Sequence, residues 1–231
     1  MVFAVRWRDL VYDSSDMAPR IRYQTYQFGE LDIHLCTLKD TQQFHDPRGE
    51  AHALGIDADT WALFGVVWTT AEILAQLMMD IDIVDKRILE VGCGIGLASH
   101  VLNHRGADIS ATDIHPEVER FLEINVALNQ SQSIPFLRSA WHEESASLGQ
   151  FDLIVASDVL YEPMQALPLA DFVTSHANQS CEVLIVDANR GVDEKFGDAL
   201  VSRGFSHEAT TPPVNDQLDL PFTGTLHRFY R

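Results

Sequence analysis

Short apolar runs recur along the second part of the chain, and segments with helical spacing separate them. The runs lie at 87–92, 108–113, 135–138, 151–156 and 181–186. Runs of this kind, in which polar residues do not alternate, are typical of strands that are covered on both faces in a parallel sheet. The segments between them predict helices at 96–105, 116–129, 163–176 and 193–203. The pattern therefore indicates successive βα units.

The end of the chain has a different pattern. Strand-like segments at 205–210 and 225–231 lie about fourteen residues apart, around a stretch that contains Pro212, Pro213 and Pro221. Because so short and proline-rich a connection suits no crossover helix, we expect a hairpin that pairs the two strands antiparallel.

The first part of the chain carries a second hairpin signal. Residues 23–35 alternate on either side of Gly29 and Glu30, whereas residues 41–59 are polar and irregular. Helical spacing returns at 65–79, with Trp68 and other apolar residues on one face. We therefore predict an N-terminal extension over 1–64 that packs on a main domain over 65–231.

Composition and charge narrow the class of partner. The chain has 231 residues, 46% of them hydrophobic, and carries 16 Lys and Arg against 34 Asp and Glu, for a net charge of -18. Such a charge argues against nonspecific binding to nucleic acid and suits a basic protein or a small cationic substrate, although it also serves solubility. We expect neither a nucleic-acid nor a membrane partner.

Cysteine and histidine usage favours a cytoplasmic protein without a metal. Cys36, Cys93 and Cys181 lie far apart, and the first ten residues contain no apolar segment of signal-peptide length. The ten histidines are scattered singly, and only His100 and His104 share a helical face. Since no acidic residue or cysteine accompanies that pair, we expect it to face solvent and expect no metal site.

The segment Arg87–Gly96 reads Arg-Ile-Leu-Glu-Val-Gly-Cys-Gly-Ile-Gly, a strand that runs into three glycines at alternate positions. Glu90 ends the strand, and Gly92, Gly94 and Gly96 let the backbone pass close to a ligand. A dinucleotide fingerprint needs its third glycine three residues after the second, whereas Gly96 follows Gly94 by two, which weighs against a nicotinamide-dependent dehydrogenase.

Polar and aromatic residues end the following strands. Asp113 lies about twenty residues after the first glycine, the spacing that places a carboxylate beside a ribose, although it also suits a helix cap before Pro116. Trp141 follows the third strand, either to contact an adenine or to fill the core. Asp158 and Tyr161 follow the fourth strand. Asp158 can attract a cation or cap the following loop. Tyr161 can line the path of that cation or pack in the wall of the site.

These motifs carry a family resemblance. The run from Glu90 through Gly92, Gly94 and Gly96 resembles motif I of class I S-adenosylmethionine-dependent methyltransferases. Asp158-Val-Leu-Tyr161 resembles the Asp/Glu-x-x-Tyr/Phe motif of the seven-strand protein lysine methyltransferases, methyltransferase family 16. The segment 65–71 is similar to that family's Gly-x-x-Trp-x-x-Ala helix entry, and the early hairpin resembles its N-terminal strands. The resemblance covers the chain from about Tyr23 to its end.

The resemblance implies an α/β fold, a Rossmann-like doubly wound sheet of seven strands in the order 3-2-1-4-5-7-6 with the seventh antiparallel. It implies S-adenosyl-L-methionine as the cofactor and a lysine side chain of a protein as the methyl acceptor; a small-molecule amine and a cofactor-binding module without turnover are the alternatives. Acceptor-side roles fall to Asp158 and Tyr161. The implied cofactor-binding residues are Trp68, Glu90, Gly92, Cys93, Gly94, Gly96, Asp113, Trp141 and Ser157.

Overall fold

A seven-stranded sheet lies at the centre of the computed structural model, which describes residues 18–143, 146–191, 193–212 and 222–231. The strands are β1 Ile21–Phe28, β2 Leu31–Leu38, β3 Arg87–Val91, β4 Asp108–Asp113, β5 Phe136–Arg138, β6 Phe151–Ser157, β7 Ala177–Asp187, β8 Ser206–Thr210 and β9 Thr225–Tyr230. The α-helices are α1 Glu50–Ala53, α2 Thr69–Met78, α3 Leu97–His104, α4 Val118–Leu128, α5 Ala166–His176 and α6 Asp193–Ser202. Two 3₁₀ helices cover Trp61–Gly65 and Ala146–Leu148.

The strand order in the large sheet is β5-β4-β3-β6-β7-β9-β8. Strands β3 to β7 pair parallel, and β9 lies between β7 and β8 and pairs antiparallel with both. Counted within the sheet, this is the order 3-2-1-4-5-7-6, so the implied fold is confirmed. The antiparallel pairing of the last two strands is confirmed too; most of their connection, 213–221, lies outside the described residues.

The alternation of side chains along the buried strands divides the core between the two faces of the sheet. Ile88 points to the face that α2, α3, α4 and the first hairpin cover, and the next residue, Leu89, points to the face that α5 and α6 cover. The same division holds along β6, where Leu153 and Ile154 lie in different clusters. Both faces are therefore packed, as the continuous apolar runs predicted.

Strands β1 and β2 form the predicted hairpin, which turns at Gly29 and Glu30. Two side chains of α4 join it to the main domain. Asn125 bonds both the amide and the carbonyl of Cys36, at 2.7 and 3.3 Å, and Asn129 does the same for His34, at 2.8 and 2.7 Å. The two asparagines thus pair with the outer edge of β2 as a neighbouring strand would, so the hairpin is fixed in register on α4.

Several element boundaries differ from the pattern. Helix α2 begins at Thr69 because the preceding residues form a 3₁₀ helix and Val66 is extended. Strand β7 begins at Ala177, four polar or small residues before its apolar run. The stretch Trp61–Met78 is apolar enough to cross a membrane by length and composition alone, but it comprises two elements and half of it is buried, as in the core of a globular domain.

Candidate active site

A cavity of about 510 Å³ opens at the carboxyl ends of β3, β4, β5 and β6. Its volume is in the usual range for small-molecule sites. Ten of the predicted site residues line it, and Glu90 does not. The ten are Trp68, Gly92, Cys93, Gly94, Gly96, Asp113, Trp141, Ser157, Asp158 and Tyr161.

The glycine turn between β3 and α3 is shaped by the protein that surrounds it. Gly92, Gly94 and Gly96 all have left-handed φ angles, of +61°, +51° and +71°. A Cβ on Gly94 would lie 2.8 Å from the carbonyl oxygen of Phe64, and one on Gly96 would lie 2.6 Å from a methyl group of Leu122. Any other residue would therefore be strained at these positions, and the turn presents bare backbone to the cavity.

Asp113 fixes this turn from the end of β4. Its Oδ2 accepts a hydrogen bond from the amide of Gly94 and its Oδ1 one from the amide of His115, both at 2.9 Å. Burial raises the pKa of this carboxyl above its ordinary value, while the surrounding amides oppose the rise. The bond to His115 closes a local turn two residues long, but α4 begins at Val118 with Glu117 as its N-cap, so Asp113 does not cap that helix. Each carboxylate oxygen retains a lone pair, so the same group can accept vicinal ribose hydroxyls.

Glu90 points away from the cavity. Strand β3 continues to Val91, so Glu90 shares the face of Ile88 and points toward α3. It is 2% exposed and accepts hydrogen bonds from the amide of Ser99, at 2.8 Å, and from the Ser99 hydroxyl. Burial raises its pKa to about 7. The structure therefore places Glu90 beneath the glycine turn, where it anchors the first turn of α3.

Two tryptophans form walls of the cavity. Trp68 precedes α2, and its indole Nε1 donates to the carbonyl of Leu63 at 3.1 Å. The ring of Trp141 lies 3.6 Å from the position that a Cβ on Gly92 would take. Both are half-buried rather than enclosed in the core, so each presents part of its ring to the cavity.

Asp158 and Tyr161 lie at the end of β6. Asp158 has a left-handed φ of 56°, its amide donates to the carbonyl of Val186 at 2.9 Å, and its side chain is 10% exposed. The guanidinium of Arg190 forms an ion pair with its carboxylate. Tyr161 is 47% exposed at the mouth, and partial desolvation with nearby carboxylates raises its pKa to about 12, so its phenol stays protonated.

The cavity also contains residues that the sequence reasoning missed. Residues 54–56, 60, 63 and 64 reach it from the N-terminal part of the chain, which was predicted as an extension, and Val66 lies just after that part. His115 stacks on Phe64, with ring centroids 3.8 Å apart. Arg190 follows β7; its position after a strand of the parallel sheet is the signal that identifies it. Among the described residues no group of three or more His, Cys, Asp or Glu is arranged to hold a metal.

A glycine turn after the first strand, a carboxylate after the second and an open cleft at the reversal of strand order define a class I methyltransferase site on a Rossmann-like sheet. Residues 50–201 match the family model described as lysine methyltransferase. This match covers more than half of the chain, which therefore belongs to the lysine methyltransferase family, whose cofactor is S-adenosylmethionine.

Curated relatives agree with the family. The chain is 32% identical over 124 residues to the protein-lysine methyltransferase METTL21E of Bos taurus, covering 48% of this chain and 42% of that protein. It is 31% identical over 121 residues to the protein N-lysine methyltransferase METTL21A of Danio rerio, covering 48% and 55%. It is 30% identical to the histone-arginine methyltransferase METTL23 of Xenopus laevis, covering 50% and 58%. The matches thus span about half the length of these relatives.

Solved structures share the fold. The ribosomal protein L11 methylase of Lactobacillus delbrueckii subsp. bulgaricus superposes with a TM-score of 0.58 at 21% identity, covering 90% of this chain and 98% of that one. The magnesium protoporphyrin IX methyltransferase of Synechocystis PCC 6803, solved with bound S-adenosylmethionine, gives 0.55 at 18% identity and covers 71% and 78%.

The described residues fit this cofactor. The bare backbone of the glycine turn, the free lone pairs of Asp113 and the partly exposed rings of Trp68 and Trp141 offer a nucleoside its contacts. Burial holds the pKa of the Cys93 thiol well above its ordinary value, so this residue stays uncharged in the wall. The donor set thus combines backbone, a carboxylate and aromatic surface, which suits a nucleoside without a pyrophosphate.

Proposed function

We propose that this protein methylates the side-chain nitrogen of a lysine in another protein. The observation that carries the proposal is the carboxylate of Asp158, which lies in the same cavity as the glycine turn and Asp113. A carboxylate at this point, with its side chain 10% exposed, attracts an ammonium group and orients it. The family and the two lysine methyltransferase relatives support the same acceptor.

When bound, S-adenosylmethionine would supply a methyl group on a sulfonium for in-line transfer to the lone pair of the acceptor nitrogen, and the electron pair of the S–C bond would remain on sulfur. The protein's part is to position and desolvate the acceptor. Asp158 is the group that binds the acceptor nitrogen. The ring of Tyr161 gives the mouth an aromatic surface that favours an alkylammonium chain.

A protein acceptor fits this mouth better than a small amine. Tyr161 and Met164, on the segment between β6 and α5, and Leu167, in the first turn of α5, are exposed side chains with large apolar surfaces. The net charge of -18 favours an acceptor segment that is basic around its lysine. A long side chain offered by such a segment could reach Asp158 while its backbone rests on this rim.

The test is transfer of label from radioactive S-adenosylmethionine to a proteome that lacks this protein's own activity. We expect discrete protein bands, and mass spectrometry should find the label on lysine. Asp158→Asn should lose the label, whereas Asp108→Asn, at the amino end of β4 and ion-paired with Arg87, should keep it. Label on arginine or only in small amines would overturn the lysine acceptor.

A module that binds the cofactor without turnover is the alternative from another class. It requires tight binding of S-adenosylhomocysteine by calorimetry together with no labelled product in any fraction. Asp158→Asn would then change neither measurement, since there would be no transfer to lose.

We also propose that the protein is cytoplasmic. Its three cysteines, Cys36, Cys93 and Cys181, are all free and buried, which suits a reducing compartment. Fractionation of cells that express a tagged chain tests this, and recovery with the membrane or secreted fraction would contradict it.

A further inference from the structure

The ion pair between Asp158 and Arg190 is built into the ends of two adjacent strands. Asp158 follows β6, and Arg190 lies in the loop after β7. Asn189 holds this loop: its amide donates to Oδ2 of Asp187 at 2.7 Å, and its side-chain amide donates to the carbonyl of Thr223 at 3.0 Å. Asn189 and Gly191, on either side of Arg190, both have left-handed φ angles, of 60° and 82°. These bonds and backbone angles fix the loop on either side of Arg190, so its guanidinium is held beside the carboxylate of Asp158.

Arg190 is the one lysine or arginine among the described residues that line the cavity. The other titratable groups there come from the loops after β3, β4, β5 and β6, and Lys195 of α6 approaches from outside to bond the carbonyl of Pro163 at 3.3 Å. These groups are Cys93, Asp113, His115, His142, Asp158, Tyr161 and Glu162.

Three of these groups, Cys93, His115 and Tyr161, are uncharged at neutral pH. Desolvation lowers the pKa of His115 to about 3, the pKa of Tyr161 is raised to about 12, and Cys93 stays a thiol. The remaining groups are the carboxyls of Asp113, Asp158 and Glu162 and the imidazole of His142, and the guanidinium of Arg190 is the cation that pairs with Asp158.

The carboxylate of Asp158 has two opposing effects on an acceptor amine. A lysine reaches the cavity as an ammonium, which the carboxylate attracts, but nitrogen can attack carbon only after it has lost a proton to solvent and freed its lone pair. An isolated carboxylate nearby favours the charged form and so opposes that loss. A cation beside the carboxylate has the opposite effect.

We propose that Arg190 is a positioning residue that neutralises Asp158, so that the bound acceptor amine can give up its proton. The inference rests on the proposed function, and it assigns to Arg190 a role through Asp158 rather than a contact with the reacting atoms. The ion pair lets Asp158 orient the amine by hydrogen bonding without fixing it as an ammonium.

The test is the pH dependence of methylation by Arg190→Gln. The probe is a synthetic peptide centred on the lysine labelled in the proteome experiment, or the labelled amine itself if the label enters a small molecule. We expect KM to fall by up to about fivefold, because the cation that competes for Asp158 is gone. We expect kcat at pH 7 to fall and the acid limb of its pH profile to move up by about one unit.

Two matched variants separate charge from structure. Arg190→Lys keeps the cation and should keep the wild-type pH profile. Arg228→Gln removes an arginine that is ion-paired with Glu182 on β7, at 3.0 Å and outside the cavity, and should shift neither KM nor the profile. Since Arg190 is partly exposed, its loss should leave the fold intact, which circular dichroism checks.

A second readout needs no turnover. Calorimetry of the same probe binding to the complex with S-adenosylhomocysteine, in two buffers of different ionisation enthalpy, counts the protons released on binding. At pH 8.5 we expect the wild type and Arg190→Lys to release more protons per bound probe than Arg190→Gln.

The outcomes distinguish the proposed function from the role of Arg190. Absence of any methyl transfer by the wild type refutes the proposed function and this inference with it. Transfer by the wild type with superimposable pH profiles and equal proton release in Arg190→Gln overturns the role of Arg190 alone. A lower KM with a higher kcat and an unmoved profile also overturns it, because Arg190 would then only obstruct the acceptor.

Discussion

Replacing Gly94 by alanine tests whether the turn after β3 holds the cofactor. Gly94 has a φ of +51°, and a Cβ there would lie 2.8 Å from the carbonyl oxygen of Phe64. The left-handed conformation costs a residue other than glycine about 1–2 kcal/mol. The clash adds to this cost, because the atom it meets is backbone and cannot swing aside as the end of a flexible side chain can. We therefore expect the turn itself to move.

Movement of the turn should weaken binding through Asp113. The amide of Gly94 donates to Oδ2 of Asp113 at 2.9 Å, so a displaced turn strains this bond and shifts the carboxylate that we assign to the ribose. A hydrogen bond to a charged group contributes about 1.5–3 kcal/mol. Loss of its lower bound corresponds to about a tenfold fall in affinity, which we expect for S-adenosylhomocysteine.

Gly106→Ala is the matched control. Gly106 also has a left-handed φ, of +76°, but nothing lies within 4 Å of its Cβ position. Both variants therefore carry the conformational cost, and only Gly94→Ala adds the clash. Urea unfolding should show a loss of about 1 kcal/mol for Gly106→Ala, and calorimetry should show wild-type affinity for S-adenosylhomocysteine. Equal affinities in the two variants would refute the assignment of this turn to the cofactor.

Further predictions concern buried polar groups. Asn125→Ala removes both side-chain bonds to the backbone of Cys36, and urea unfolding should show a loss of about 2–4 kcal/mol, so a neutral result would contradict the docking of the hairpin on α4. The pKa of Glu90 is raised from 4.5 to about 7 in the folded state, which therefore binds the extra proton and loses stability as pH rises through this window. Glu90→Gln, which keeps an acceptor for Ser99, should flatten that slope in unfolding curves measured across the window; an unchanged slope assigns it to other groups. His100 is 2% exposed, and neither ring nitrogen has a partner among the described residues, so His100→Leu should raise the stability by about 1 kcal/mol and with it the Tm. A lower Tm would indicate that the imidazole is satisfied.

The periodic signals predicted the sheet because both faces of its strands are buried. The runs around Ile88 and Leu153 contain too few polar residues for any other packing, and the glycines that follow β3 fit only a turn. Glu90 was predicted to end the strand and, from the family resemblance, to bind the cofactor, but β3 continues to Val91 and Glu90 does not line the cavity. The alternation of side chains instead directs Glu90 to α3, and only the true end at Val91 makes that visible.

The hydrophobic pattern could not predict the positions of residues in irregular segments. Leu54 and Ile56 line the cavity from an irregular polar stretch, and their position depends on how α1 and the 3₁₀ helix fold back over the sheet. The expectation that His100 faces solvent was wrong. Helix α3 buries every residue from Leu97 to Leu102 because the sheet, α2 and the hairpin cover it together, so an i, i+4 pair does not reveal its environment.

The strand order explains where the ion pair between Asp158 and Arg190 lies. Strands β3 and β6 are neighbours, yet their following helices cover opposite faces, so a crevice opens between the glycine turn and Asp158. Neighbouring strands lie about 4.8 Å apart, so the glycine turn after β3 and Asp158 after β6 lie close together without any additional element. Strand β7 is one place farther from the turn, so Arg190 can reach Asp158 from outside. A cation supplied from β4 or β5 would have to cross the nucleoside side of the cavity, whereas one from β7 neutralises the carboxylate and leaves that side free.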